Sequence, residues 1–102
     1  MAVYAATKAF PMEEQFGLVS QLRRGALSIA SNIVEGCARD SQADYLRFLD
    51  IALGSSREVE YQLTVAHRLG YLNDEVAADL CRIADETTRV LVGLIRSLRD
   101  QR

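Results

Sequence analysis

The fold is decided by residues 16–36, FGLVSQLRRGALSIASNIVEG, where apolar side chains recur among small and polar ones. The spacing between successive apolar or small residues is three or four, which places them on one face of an α-helix. The stretch therefore predicts an amphipathic helix over Glu14–Ala38, with its apolar face turned toward a core and widened by Val19 and Leu27. The residues of that face are Leu18, Leu22, Ala26, Ile29, Ile33 and Gly36.

Polar residues follow the edge of this predicted apolar face. Ser28, Asn32 and Glu35 are spaced by four and three, so they share one side of the helix. A buried polar group that lacks a partner costs about 1–3 kcal/mol, so a half-buried asparagine is expected to find one. We interpret the three residues as a structural polar seam in which Asn32 fixes the register of the helices, with Tyr45, Tyr61 or a backbone carbonyl as its partner.

The rest of the chain shows the same helical rhythm between clear boundaries. Residues 2–9 are predicted to form a short first helix before Pro11, the only proline. Ser41 is positioned to cap a third helix, and Asn73 to cap a fourth that runs to the end of the chain. Gly70 suits the left-handed position that follows the last turn of the third helix.

Helix lengths and loop lengths together define the fold class. The third and fourth helices, at about 28 residues, would each span ~42 Å. The short connections at 39–41 and 70–73 require neighbouring helices to run antiparallel. Residues 1–102 are therefore predicted to form a single all-α domain, an antiparallel up-down four-helix bundle with a short first helix.

Composition argues against several classes of protein. Hydrophobic residues make up 49% and the formal net charge is −2, which argues against a generic nucleic-acid binder. No apolar run approaches the ~20 residues of a membrane span. The first ten residues lack the pattern of a signal peptide, and the two cysteines, Cys37 and Cys81, have the spacing of no metal or redox motif. A cytoplasmic location is expected.

The sequence offers no set of residues for catalysis. His67, the only histidine, lies where positive charge suits the C-terminal end of the third helix. Neither a phosphate-binding glycine loop nor a dinucleotide-binding motif is found. We therefore predict a protein that is not an enzyme, with no catalytic residues, no metal site, no cofactor and no evident small-molecule substrate.

The arginines are the residues most open to a functional interpretation. Arg23 and Arg24 are adjacent, whereas Arg82, Arg89 and Arg96 recur every seven residues along one stripe of the fourth helix. Three explanations remain at this point. The arginines could form surface ion pairs such as Asp85–Arg89, they could contact nucleic-acid phosphates in a salt-dependent way, or they could contact a protein partner.

Three blocks of sequence resemble the family of 23S rRNA intervening-sequence proteins. They are residues 16–36, YLRFLDIALGSSREVEYQL at 45–63 and LGYL at 69–72, and the resemblance extends from about Phe10 to Leu98. Members usually carry a longer first helix than this chain. The resemblance implies a bacterial four-helix protomer that assembles into a ring-like homopentamer, and it supplies no catalytic residues.

Two functions are therefore expected. The first is a non-enzymatic helical-bundle protein that self-assembles, as a homopentamer by the resemblance, and acts as a scaffold or adaptor for an unidentified protein partner. Its support in the residues is the wide apolar stripes on long helices in a small chain. The alternative is an RNA-binding accessory protein that uses the five arginines, favoured by the rRNA context of the resembling family.

Overall fold

The computed structural model describes residues 2–14 and 17–101, and these form helices without a strand. After the short helix α1 (Ala2–Thr7) comes a 3₁₀ turn at Met12–Glu14. Three long helices follow: α2 (Leu18–Cys37), α3 (Gln42–Arg68) and α4 (Asp74–Asp100). The prediction of an all-α bundle with a short first helix is confirmed.

The predicted start of α2 at Glu14 is wrong. Glu14 closes the 3₁₀ turn, and α2 begins four residues later, after Gly17. Gly17 provides no side-chain cap for the helix. The acidic residues before α2 therefore belong to the turn, although their charge suggested the first turn of a helix.

The predicted caps of α3 and α4 are present. Ser41 Oγ accepts a hydrogen bond of 3.1 Å from the backbone N–H of Asp44. Asn73 Oδ1 accepts one of 2.8 Å from the N–H of Val76. Each bond satisfies a donor that the first turn of a helix otherwise leaves unpaired, which fixes where the two longest helices begin.

The turn between α3 and α4 is a Schellman ending built on Gly70, whose φ is +81°. The N–H of Gly70 donates to the carbonyl of His67, and the N–H of Tyr71 donates to that of Ala66. The ring of Tyr71 then packs on Phe10, with the two ring centroids 5.3 Å apart. The turn therefore also anchors the segment that leads from α1 to α2.

Helix α3 is the central element of the bundle. It packs against α2 on one side and against α4 on the other, while no Cα of α2 lies within 8 Å of a Cα of α4. Helix α1 occupies one end of the space between α2 and α4. Its C-terminal Thr7 lies at Arg23 and its N-terminal Val3 lies beside Ala26, so α1 runs antiparallel to α2.

The core consists of two clusters along the bundle axis. The first lies at the α1 end and joins all four helices through Leu22, Leu63 and Leu80. The second lies at the other end, where the buried residues come from α3 and α4 and Ile29 and Ile33 of α2 pack against them. Only the first cluster receives side chains from α1.

Two glycines of α2 allow the close approach of α3. A Cβ at Gly25 would lie 2.6 Å from Val59 Cγ2, and one at Gly36 would lie 2.9 Å from Tyr45 Cδ1. A Cβ at Gly54 of α3, in contrast, would meet no atom of the described residues within 4 Å. Gly54 therefore requires a different explanation.

Candidate interaction surfaces

An apolar groove runs between α2 and α4 beyond the N-terminal end of α1. Its cavity volume is about 320 Å³. Ala26, Ala30 and Ile33 line the α2 wall, and Ile83 and Thr87 line the α4 wall. Because no Cα of α2 lies within 8 Å of a Cα of α4, the helix backbones leave this space open along about two turns of α2.

By helical spacing, the residues that flank the groove walls include large apolar side chains that are mostly exposed. On the α2 rim, Leu27 is 53% exposed and Val34 is 68% exposed. On the α4 rim, Val90 is also 68% exposed. Monomeric proteins rarely expose contiguous apolar surface of this kind without a binding role. The groove and its rims therefore form one candidate interaction surface.

A second candidate surface lies on the outward side of α3, where exposed apolar residues alternate with the charged Arg57 and Glu58. Ile51, Gly54 and Tyr61 follow one another at helical spacing, and Tyr61 is 70% exposed. A glycine inside a helix costs about 1 kcal/mol relative to alanine. At Gly54 the missing side chain does not serve close packing within the described part of the chain, because a Cβ there would meet no atom within 4 Å. The same holds for Gly93 on α4.

The two adjacent arginines of α2 differ in their surroundings. Arg23 is bound within the protomer, whereas Arg24 has no ion pair to a described side chain. Arg23 Nε donates a 3.0 Å hydrogen bond to Thr7 Oγ1, and its guanidinium carbon lies 4.8 Å from the centroid of the Tyr4 ring. Arg23 therefore fastens α1 to α2. Arg24 is exposed and makes no ion pair with a side chain that the structure describes.

The α4 arginines divide in a similar way. Arg89 lies 3.0 Å from Asp85 and Arg82 lies 3.2 Å from Glu86, so both are partly neutralised within their own helix. Arg96 is exposed, with no ion pair to a described residue. The α2 and α4 arginines lie on helices that have no Cα atoms within 8 Å of each other, so the fold does not place them on adjacent helices.

The polar seam of α2 contains two of its three predicted members. Asn32 Nδ2 donates to the backbone oxygen of Ser28 at 2.8 Å and lies 3.1 Å from Ser28 Oγ. Ser28 Oγ lies 2.8 Å from Ser55 Oγ, which links α2 to α3. Glu35 instead pairs with Arg39 at 2.8 Å on the surface. The partner of Asn32 is therefore a backbone carbonyl.

The groups with acid–base or metal-binding chemistry are dispersed. Burial, and to a smaller extent a hydrogen bond and charge interaction with Cys37, raise the pKa of the Tyr45 phenol. His67 Nε2 lies 2.7 Å from Asp74 Oδ1, which ties the end of α3 to the start of α4. Among the described residues, histidine, cysteine and acidic side chains do not form a group of three that could hold a metal ion.

Sequence reasoning missed the groove because periodicity reports only that a face is apolar. Leu27 was assigned to the buried face of α2, but it lies on the rim. The signal that could have found the groove is the pair Leu27 and Val34, seven residues apart and displaced from the main stripe.

No helix in the part of the chain that the structure describes has the length and apolar character to cross a bilayer.

Comparisons with known proteins agree on one family. The model of the 23S rRNA-intervening sequence protein family matches residues 1–93. A solved structure from Bacteroides thetaiotaomicron, described as a protein of unknown function from the S23 ribosomal protein family, superposes with a TM-score of 0.84. The two sequences are 27% identical, and the match covers 93% of this chain and 85% of that one. The curated proteins contain no match.

Proposed function

Because the chain belongs to the 23S rRNA-intervening sequence protein family, we propose that it is a non-enzymatic cytoplasmic scaffold that self-assembles, as a homopentameric ring. The ring expectation comes from the family resemblance of the sequence. A ring requires that two different surfaces of each protomer meet, one from each neighbour. The role needs no catalytic group, and it uses surfaces that the protomer leaves uncovered.

The observation that carries this proposal is the exposed glycine of α3. Gly54 lies between Ile51 and Tyr61 on an exposed helix face, where a Cβ would meet no atom of the described residues within 4 Å. A glycine in the middle of a helix lowers helix stability, so its presence is accounted for if a neighbouring subunit approaches the backbone there. The adjacent apolar side chains supply area that such a contact would bury.

Light scattering coupled to size-exclusion chromatography tests self-assembly. The expected mass is about 56 kDa, five times the 11.3 kDa of the protomer. Replacement of Gly54 by leucine should shift the mass toward the protomer, because the new side chain occupies the space of the neighbouring backbone. Ala78 is exposed on α4, so Ala78→Leu adds similar bulk away from the proposed contact and should leave the mass unchanged.

Two results would contradict self-assembly through α3. One is a protomer mass for the unchanged protein at concentrations near 100 μM, roughly where even weak homo-oligomers assemble. The other is an assembled mass that Gly54→Leu leaves unchanged. In the second case the protein assembles, but through another surface.

RNA binding is the second candidate function. The observation that favours it is that Arg24, Arg57 and Arg96 are exposed and have no ion pair to a described residue. Arg82 and Arg89 are offset by neighbouring acids, and Arg23 is held by α1. If RNA is bound, we therefore expect Arg24 and Arg96 to contribute more than the other three arginines predicted from the sequence.

Filter binding to a structured rRNA fragment at several salt concentrations tests this candidate. Binding that weakens with salt, and that the double variant Arg24→Ala/Arg96→Ala reduces more than Arg82→Ala/Arg89→Ala, would support it. An affinity that does not depend on salt, or no binding at ~50 mM salt, would exclude phosphate contacts as the main interaction.

A further inference from the structure

We propose that the outward face of α3 in one protomer packs on the outward face of α4 in the next protomer, with Gly54 opposite Gly93. This inference rests on the proposed self-assembly and adds the second of the two surfaces that a ring requires. The occupant of each face is a second copy of this chain. Two observations carry the inference, the two glycines and the order of the charges around them.

Gly54 and Gly93 lie inside helices, on faces that point away from the core. Both are exposed, and a Cβ at either position would meet no atom of the described residues within 4 Å. Each costs about 1 kcal/mol of helix stability relative to alanine, and contact between the two bare backbones accounts for both. Since each glycine leaves the opposite backbone bare, one methyl group at position 93 still fits in this contact, whereas a leucine does not.

The symmetry of the ring sets the relative direction of the two helices. Within a protomer α3 and α4 run antiparallel, because the short turn at Gly70 joins them. Successive subunits of a ring of five are related by one fifth of a turn, so α3 crosses the neighbour's α4 closer to antiparallel than to parallel. Residues before Gly54 therefore come level with residues after Gly93 of the neighbour, and the reverse.

In this direction the ends of the two faces carry opposite charges. Arg47 lies seven residues before Gly54, and Asp100 lies seven residues after Gly93. Two turns of helix separate each charge from its glycine, so Arg47 comes level with the neighbour's Asp100. Both side chains are exposed, and each is free to turn toward the other protomer.

Two further pairs of opposite charge follow from the same register. Asp50 comes level with the neighbour's Arg96, and Glu58 comes level with the neighbour's Arg89. Arg96 and Glu58 are exposed and have no ion pair to a described residue, so the neighbour would supply their partners. Opposite charges across an interface select the partner and the register more than they add affinity.

The uncharged side chains of the α3 face supply the area that the contact buries. Ile51 is 43% exposed and Tyr61 is 70% exposed. Tyr61 comes level with the neighbour's Glu86, so its phenol can donate a hydrogen bond to that carboxylate while its ring is covered. Arg57 comes level with the uncharged Val90, and the named positions therefore place no like charges at the same level.

Cysteine cross-linking tests which two faces meet. In a background that carries Cys37→Ser and Cys81→Ala, the double variant Gly54→Cys/Gly93→Cys offers one thiol on each face. A disulfide needs two Cα atoms roughly 4.4–6.8 Å apart, so mild oxidation should link neighbouring chains into a ladder of up to five on a non-reducing gel. Gly54→Cys alone or Gly93→Cys alone places thiols on one face only, and we expect no cross-link.

A charge exchange tests the register and leaves both glycines in place. Arg47→Glu should raise the protein concentration needed for half assembly by about fivefold, because it sets two acids against each other. Adding Asp100→Arg should restore that concentration to within about twofold of the unchanged protein. The matched control is Asp79→Arg, the same charge change at an exposed site near the other end of α4, and it should not restore assembly. Light scattering over a dilution series measures all four proteins.

The outcomes separate this contact from self-assembly itself. A protomer mass for the unchanged protein would overturn both. Assembly that Gly54→Leu disrupts but Gly93→Leu does not, or an assembled double-cysteine variant that gives no ladder, would leave self-assembly through α3 standing and overturn the α4 contact. A cross-linked dimer from either single-cysteine variant would show that like faces meet. Rescue of Arg47→Glu by Asp79→Arg, or no rescue by Asp100→Arg, would overturn the register.

Discussion

Ser56 Oγ and Thr88 Oγ1 lie 2.7 Å apart inside the α3–α4 interface, where Ser56 is fully buried. Thr88 Oγ1 also donates to Glu60 Oε1. A threonine hydroxyl has one hydrogen, so the hydrogen of Ser56 is directed at Thr88 and that of Thr88 at the carboxylate. Each of the two buried hydroxyl groups thus donates one hydrogen bond, Ser56 to Thr88 and Thr88 to Glu60, and the carboxylate of Glu60 is half-buried.

Replacement of Thr88 by valine should destabilise the protein more than its small change in shape suggests. The hydroxyl of Ser56 would lose its acceptor while remaining buried, which costs about 1–3 kcal/mol. Ser56→Ala removes the hydroxyl that Thr88→Val leaves unpaired. The loss of unfolding free energy in the double variant should therefore be smaller than the sum of the losses in the two single variants. Urea denaturation of the four proteins measures the coupling, and strict additivity would show that the two hydroxyls act independently.

Alanine substitution at two helical glycines should change stability in opposite directions. At Gly25 the new Cβ would lie 2.6 Å from Val59 Cγ2, a stiff side chain, so Gly25→Ala should cost about 1–3 kcal/mol. At Gly93 the new Cβ meets no atom of residues 2–14 and 17–101 within 4 Å, so Gly93→Ala should add up to about 1 kcal/mol. Thermal unfolding monitored by circular dichroism compares them, and destabilisation by both would contradict the prediction for Gly93.

The cap of α4 should contribute measurably to stability. Asn73→Ala removes the side-chain acceptor of the Val76 N–H and should cost about 1 kcal/mol, whereas Asn73→Asp keeps an acceptor and should cost less. The free energy of unfolding in urea measures both changes. Equal losses for the two variants would mean that the side chain of Asn73 acts through something other than its cap.

The phenol of Tyr45 should ionise above its usual pKa of about 10, because burial, and to a smaller extent Cys37, raise its pKa. The unfolded chain then releases this proton at a lower pH than the folded protein. Its contribution to stability is therefore complete below pH ~10 and is lost as the pH rises through the raised pKa. The difference in ultraviolet absorbance at alkaline pH between the protein and Tyr45→Phe isolates this phenol. Ionisation below pH ~10 would contradict the prediction.

The features that the sequence predicted correctly are set by local chemistry. Ser41, Asn73 and Gly70 act within one or two turns of their own position, so their roles follow from the identity of a few neighbours. The start of α2 was misplaced because acidic residues are compatible with both a 3₁₀ turn and a first helical turn.

The candidate sites were harder to predict because they depend on what each helix face meets. Helical spacing gives Leu22 and Leu27 the same apolar character, yet one is fully buried and the other lies on the rim of the groove. The same limit applies to Gly25 and Gly54, which differ only in whether another helix approaches them. These differences arise from which helix packs against each face, and the spacing of residues within a single helix does not report that.

The central position of α3 also has a consequence for how the chain folds. Since α2 and α4 each pack along α3, most of the packing lies within two overlapping helical hairpins of sequence neighbours, and the short α1 adds a smaller contact with α4. Such a topology has a low contact order, which is associated with folding in microseconds to milliseconds. Amide hydrogens of α3 are expected to exchange last, after either hairpin has opened and closed many times.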